Sequence, residues 1–94
     1  MALFVRLVRF TERHSLGMGA KKRLQKAKRI IQRHGATLHQ AYVTLGRYDL
    51  VSIIEAPDVE AIARLSTALF DELGLKAETL PAIPLERYLK ATSS

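Results

Sequence analysis

The residues best suited to chemistry form one tetrapeptide, Gly46-Arg47-Tyr48-Asp49. A guanidinium, a phenol and a carboxylate held in one turn are able to bind an anion or to orient a polar substrate. The same residues also have structural uses. Gly46 permits a positive φ, Asp49 accepts hydrogen bonds from backbone N–H groups, and Tyr48 offers a ring for packing. The motif therefore predicts a structural turn, with a ligand-binding role as the alternative.

Arg6 is a second candidate because it interrupts an apolar strand pattern. It alternates in step with Phe4 and Val8, so all three side chains are predicted to point to the same covered face. An unpaired guanidinium on that face is costly, and a carboxylate such as Glu78 is the expected partner. The ordinary interpretation is thus a buried Arg6–Glu78 ion pair.

The alternative for Arg6 is a pocket for an anionic small molecule, formed together with His39 and Tyr42 or Tyr48. In a regular strand His39 and Tyr42 point to opposite faces, so such a pocket requires a bulge. Together with the turn, this hypothesis gives the following candidate ligand-binding residues: Arg6, His39, Arg47, Tyr48 and Asp49.

Catalytic and metal-binding signals are weak. The imidazoles, His14, His34 and His39, share no helix face and have no HxH spacing, which predicts no metal site. His34 precedes Gly35 and fits a cation at the negative end of a helix. Nucleophile motifs, phosphate loops and paired carboxylates are missing from the sequence. We therefore assign no catalytic residue, expect no cofactor, and keep a cofactor-free monooxygenase-like or isomerase-like enzyme as the second alternative function.

A basic ridge is predicted on the first helix, formed by Lys22, Lys26, Arg29 and Arg33. These four cations fall on the side opposite the helix's apolar stripe, so a solvated surface is the ordinary interpretation. No acidic residue interleaves them at i,i+4 spacing to offset their repulsion. Nucleic acid is the alternative partner, ahead of an anionic lipid or an acidic protein.

Charge and composition limit the classes of chemistry and the cellular location that the sequence allows. The net charge is +6, yet residues 1–48 hold eleven Lys or Arg and one acid, whereas residues 49–94 hold four bases and eight acids. The chain has no Cys, which excludes disulfides and thiolate chemistry. The sequence has neither a signal-peptide pattern nor an apolar run long enough to span a membrane. We expect a cytoplasmic protein that does not bind membranes.

The candidate residues must be positioned by six elements. Hydrophobic periodicity predicts strands over 2–10, 36–45, 50–55 and 75–82, and helices over 20–34 and from Pro57 to Leu73, followed by a short terminal segment over 85–90. Pro57 fits a first helical position. Pro81 and Pro84 favour an edge position for the last strand, or a strand end before the terminal segment. The second helix is predicted to bury one stripe: Val59, Ile62, Ala63, Ser66, Leu69, Phe70 and Leu73.

The order β-α-β-β-α-β predicts a ferredoxin-like α+β domain over residues 1–94, with a four-stranded antiparallel sheet and two helices on one face. The first strand is apolar on both sides, so the uncovered sheet face requires a partner. We expect a homodimer through this face, or a higher oligomer built from such dimers.

The sequence resembles the GYD-domain family. The similarity rests on Leu3-Phe4-Val5, Phe10-Thr11-Glu12, Leu45 to Asp49, Glu55 to Asp58 and Glu78-Thr79-Leu80, and it covers nearly the whole chain. The resemblance implies a dimeric α+β barrel and no assigned activity. The segment from Arg13 to Gly19 departs from the family pattern. A ligand contact that the family makes in this segment is therefore not expected to carry over to this chain. A small-ligand-binding or regulatory module is the function we favour from sequence, with nucleic-acid binding as the first alternative.

Overall fold

The computed structural model describes residues 1–11 and 19–93. Its strands and helices follow the predicted order. They are β1 (Ala2–Phe10), α1 (Ala20–Arg33), β2 (Thr37–Val43), β3 (Leu50–Ala56), α2 (Val59–Leu73), β4 (Leu75–Ala82) and α3 (Leu85–Thr92). The predicted terminal segment is thus a third helix of eight residues.

The four strands form one antiparallel sheet in the order β2-β3-β1-β4. Apolar β1 lies at its centre, pairing with β3 on one side and with β4 on the other. β4 is an edge strand, as its prolines predicted. The fold is therefore a ferredoxin-like α+β arrangement, which confirms the predicted class.

Strand alternation divides the sheet into two faces. Even-numbered residues of β1, Phe4, Arg6 and Val8, are buried toward the helices. Odd-numbered residues point the other way, and we call this side the open face. Its apolar members are Leu3, Val5, Leu7, Tyr42, Val51, Ile53, Leu80 and Ala82. No described helix covers the open face.

The core lies between the sheet and helices α1 and α2. Its residues are Phe4, Ile30, Ile31, Ala36, Ile54, Ala56, Ala61, Ile62, Leu65, Leu69 and Leu73. The predicted stripe on α2 is wrong in part, because Val59, Ala63 and Phe70 are exposed while Ala61 and Leu65 are buried. Both sets are apolar at helical spacing, so periodicity alone could not choose between two adjacent stripes.

The start of α2 also differs from the prediction. Pro57 precedes the helix, and Asp58 is the N-cap residue, whose Oδ1 accepts from Ala61 N at 2.7 Å. The Asp58 side chain satisfies a donor that the first helical turn leaves unpaired. The predicted end holds, since Gly74 closes α2 with a φ of 68°.

None of the helices in the described part of the chain is long and apolar enough to cross a membrane.

Candidate functional site

Arg6 is the most deeply buried charged residue among those that the structure describes. Only 1% of its surface is exposed, and its Nη1 donates to Ser66 Oγ on α2. Its cross-strand neighbours are Ser52 on β3 and Thr79 on β4. The one described hydrogen bond of the guanidinium is therefore to a hydroxyl group, which carries no formal charge.

The predicted Arg6–Glu78 ion pair is wrong. Glu78 pairs with Leu7 in the register, so it belongs to the open face, and its Oε2 accepts from Tyr48 Oη at 2.9 Å. No carboxylate within residues 1–11 and 19–93 forms an ion pair with Arg6. Burial lowers the pKa of Arg6 to about 10, so its guanidinium is still charged at neutral pH.

A cavity of about 80 Å³ lies beside Arg6, between the sheet and the two helices. Its walls are almost entirely apolar, and its lining includes Val8, Ile31, Leu38, Ile54 and Leu69. The polar contributions come from Arg6, Ser52 and Arg23. An apolar chamber with a few converging polar groups is the usual form of a small-molecule site.

Arg23 gives this cavity a second guanidinium, which our sequence analysis missed. It is half-buried on α1, donates from Nη2 to Leu73 O at 3.0 Å, and lies 5.5 Å from the centre of the Phe10 ring. A signal was available, because Arg23 shares helical spacing with Ala20 and Ala27 on the apolar stripe of α1. Ser66 was also missed as the partner of Arg6.

His39 lies on the open face and not at this cavity. The register of β2 shifts between Leu38 and Gln40, which is the bulge that the pocket hypothesis required. The bulge places His39 Nε2 2.8 Å from Glu55 Oε1 on the open face. Since Arg6 points to the helices, the predicted grouping of Arg6 with His39 and a tyrosine does not occur within one chain.

The Gly46–Asp49 turn connects the β2–β3 hairpin to β1. Asp49 Oδ2 accepts from Phe10 N at 2.8 Å, and Asp49 N donates to Val8 O at 2.8 Å. Thr44 N donates to Asp49 O at 3.0 Å. Gly46 has a φ of 103°, a conformation that residues with a Cβ rarely adopt. These contacts support the structural interpretation of the motif.

Tyr48 and Arg47 differ in their surroundings. Tyr48 is half-buried at one end of the open face, where its ring lies 5.3 Å from Arg9 Cζ and its hydroxyl donates to Glu78. Arg47 is exposed. Neither residue lines the cavity beside Arg6. The five predicted ligand-binding residues are therefore divided between the cavity beside Arg6, the open face and the hairpin turn.

We expect Asp49→Ala to lower the free energy of unfolding by about 1 to 2 kcal/mol, because Phe10 N loses its carboxylate acceptor in a half-buried place. Asp49→Asn keeps an acceptor oxygen and should cost less than Asp49→Ala. Urea unfolding measures both variants, with Arg47→Ala as the exposed control from the same turn. Equal stability of Asp49→Ala and wild type would contradict the structural role.

The basic ridge of α1 has a counter-charge on α2. Glu72 pairs with Arg33 at 3.0 Å and with Lys26 at 3.9 Å. Lys22 and Arg29 form no ion pair within the described ranges. No local pattern predicts Glu72 in this role, because it lies on another helix about 40 residues away from Arg33. The repulsion predicted for an isolated ridge is thus offset in part inside the fold.

Of the remaining histidines, His34 is the C-cap residue of α1, and its Nδ1 lies 2.8 Å from Ile30 O. This position matches the predicted place at the helix end. His14 and the rest of the divergent segment up to residue 18 lie outside the described residues. No group of three or more potential metal ligands occurs in residues 1–11 and 19–93.

The topology and the helix-covered cavity define a small α+β domain of ferredoxin-like architecture. A family model for the GYD domain matches residues 4–92, which is nearly the whole chain. The protein therefore belongs to the GYD domain family, as its sequence resemblance predicted. A comparison with curated proteins finds no match to the chain.

Proposed function

We propose that this GYD-domain protein is a small-ligand-binding module whose ligand is a short-chain monoanion held by Arg6. The observation that carries this proposal is a charged, buried guanidinium with no carboxylate partner among the described residues, placed at the wall of an apolar cavity. A buried charge without a partner costs several kcal/mol. An anion entering the cavity would offset that cost.

The cavity limits the size of the ligand. A cavity of about 150 Å³ accommodates the six carbons of benzene in another protein, so the 80 Å³ here fits an apolar tail of roughly three carbon atoms, with the charged end of the ligand against the guanidinium at the wall. The polar end needs one negative charge that can accept from a planar guanidinium, which a carboxylate does well. The other end must be apolar. Propionate and butyrate are the simplest molecules of this class.

We further propose that the module is a homodimer assembled through the open face. The centre of this face is apolar, with Val5 and Ile53 as directly paired neighbours on β1 and β3. Polar residues occupy both edge strands, including Gln40 on β2 and Lys76 on β4. An apolar centre with a polar rim is the usual anatomy of a protein–protein interface. A second copy presents the same surface and can cover it isologously.

Thermal unfolding with graded ligands tests the binding proposal. Acetate, propionate, butyrate and hexanoate are added to the wild-type protein at equal ionic strength, with the matching alcohols and amines as controls. We expect propionate and butyrate to raise Tm continuously with the logarithm of their concentration above Kd, since a ligand of the folded state stabilises it in proportion to ln(1 + [L]/Kd). Equal shifts with the alcohols, or no shift with any carboxylate, would overturn the proposal.

A further inference from the structure

The C-terminal helix α3 is amphipathic but packs against none of the other described helices and strands. It has no buried residue. Leu85, Tyr88 and Leu89 are 68%, 52% and 53% exposed, and their i, i+3, i+4 spacing places them on one side. Arg87 and Lys90 lie on the other side. A helix with such a stripe ordinarily buries it against another element.

The connection to β4 directs α3 away from its own chain. Only Ile83 and Pro84 separate the strand from the helix, and Pro84 is extended, with ψ at 141°. The described fold measures 52 by 29 by 17 Å. Its radius of gyration is 14.2 Å, against about 12 Å for a compact domain of this length. The helix therefore extends as an arm, which we define as residues 83–92.

The arm begins at the end of an edge strand of the open face. Leu80 on β4 belongs to that face and is exposed, and Ile83 and Leu85 follow it along the chain. The arm thus leaves the domain at the border of the surface that we propose as the dimer interface. The open face and the arm are thus two unpartnered apolar surfaces that follow one another along the chain, through β4.

The areas involved fit a second copy of the chain. Four strands of about seven residues give the open face a plane of on the order of 450 Å². The arm adds an apolar patch of on the order of a few hundred Å², so that the two surfaces together exceed the apolar area that a monomer ordinarily exposes in one patch. Together they approach the roughly 800 Å² per partner of a stable interface. One isologous contact would cover the open face and the arm of both copies.

We propose that the arm docks through Leu85, Tyr88 and Leu89 onto a second copy of this chain, at the margin of that copy's open face. This inference rests on the proposed homodimer and is independent of the ligand. Each copy then holds the other by a sheet contact and by an exchanged arm. Loss of the arm should weaken the dimer without affecting the cavity beside Arg6.

Photo-crosslinking is the direct test. The full chain carries benzoylphenylalanine in place of Tyr88 and is irradiated at a concentration where the wild type self-associates. A covalent dimer is expected. A crosslink within one chain, or no crosslink, would overturn the arm proposal. Because the chain has no Cys, Leu89→Cys introduces a single thiol, to which a spin label can be attached through a bond other than a disulfide. This label is a second reporter, and it should become immobile only when the protein associates.

The dissociation constant supplies a second measurement. We expect Leu85→Asp combined with Leu89→Asp to raise it at least 10-fold, whereas Arg87→Asp, on the polar side of α3, should change it less than 3-fold. Unchanged association in the double variant would overturn the arm proposal while leaving the sheet dimer intact. A wild type that is monomeric at every concentration would overturn both. The response of Tm to butyrate is read separately, so neither outcome bears on the ligand site.

Discussion

Replacing Arg6 by Met should make the protein more stable and at the same time abolish carboxylate binding. Arg6 is buried, its one described hydrogen bond is to Ser66, and no described carboxylate pairs with it. Exchange of buried ionic groups for apolar ones of similar size is often stabilising by about 1 to 4 kcal/mol. Urea unfolding measures this gain in free energy of unfolding.

The same substitution, Arg6→Met, should also weaken ligand binding. Removing one partner of a buried charge interaction typically costs 2 to 5 kcal/mol, so the affinity of Arg6→Met for butyrate should fall at least about 30-fold. Arg64→Met is the matched control, because Arg64 is exposed on α2. It should change the free energy of unfolding by less than about 0.5 kcal/mol. A marked loss of stability in Arg6→Met would show that Arg6 has a structural counter-ion and contradict the account.

The difference in free energy of unfolding between Arg6→Met and the wild type depends on pH with a definite sign. Burial lowers the pKa of Arg6 from its usual value to about 10 in the folded state. The unfolded state therefore binds more protons between these values, and stability rises with pH only there. Below about pH 10 the cost of the charge is fully present, so the advantage of Arg6→Met should be constant from neutral pH to about pH 9 and decline above about pH 10.

The second large effect is expected at the centre of the open face. Ile53→Asp would place a carboxylate opposite Val5, where a second copy should pack. Burying an unpaired charge costs several kcal/mol, and a symmetric interface contains the substitution twice. We expect the dissociation constant to rise at least about 100-fold, which corresponds to about 2.7 kcal/mol. Sedimentation equilibrium over a wide concentration range measures the change.

Two controls make the Ile53 result specific. Gln40→Asp introduces the same carboxylate on the cross-strand neighbour of Ile53, at the polar rim, and should change association little. Ile53→Thr keeps a β-branched side chain and should weaken the dimer less than Ile53→Asp. Circular dichroism establishes that each variant is folded. A folded Ile53→Asp that associates like the wild type would contradict the proposed interface.

Much of the fold follows from local patterns in the sequence. Alternation in β1, the apolar periodicity of the helices and the prolines of β4 predict the element order, the antiparallel sheet and the edge position of the last strand. Asp58 shows where local signals compete. Both Pro at a first helical position and Asp at an N-cap are favourable, and the side-chain hydrogen bond to Ala61 N decides for the cap.

The site was harder to predict because it depends on contacts between distant segments. The strand parity of Arg6 gave its direction correctly, but its partner Ser66 lies 60 residues away on α2. Glu78 was assigned to Arg6 on charge alone, and the β1–β4 register instead places it on the opposite face. The bulge in β2 likewise has no clear local signal. Register and bulges arise from tertiary packing, which a single sequence encodes only weakly.

Direct contact between the Arg6 guanidinium and the carboxylate of a small ligand can be measured by nuclear magnetic resonance. The Nε–Hε signal of Arg6, assigned by its absence in Arg6→Met, is followed during a titration with butyrate. We expect a saturable shift of this signal with butyrate and none with butanol. An Arg6 signal that stays in place while butyrate shifts only exposed amides would contradict the binding proposal.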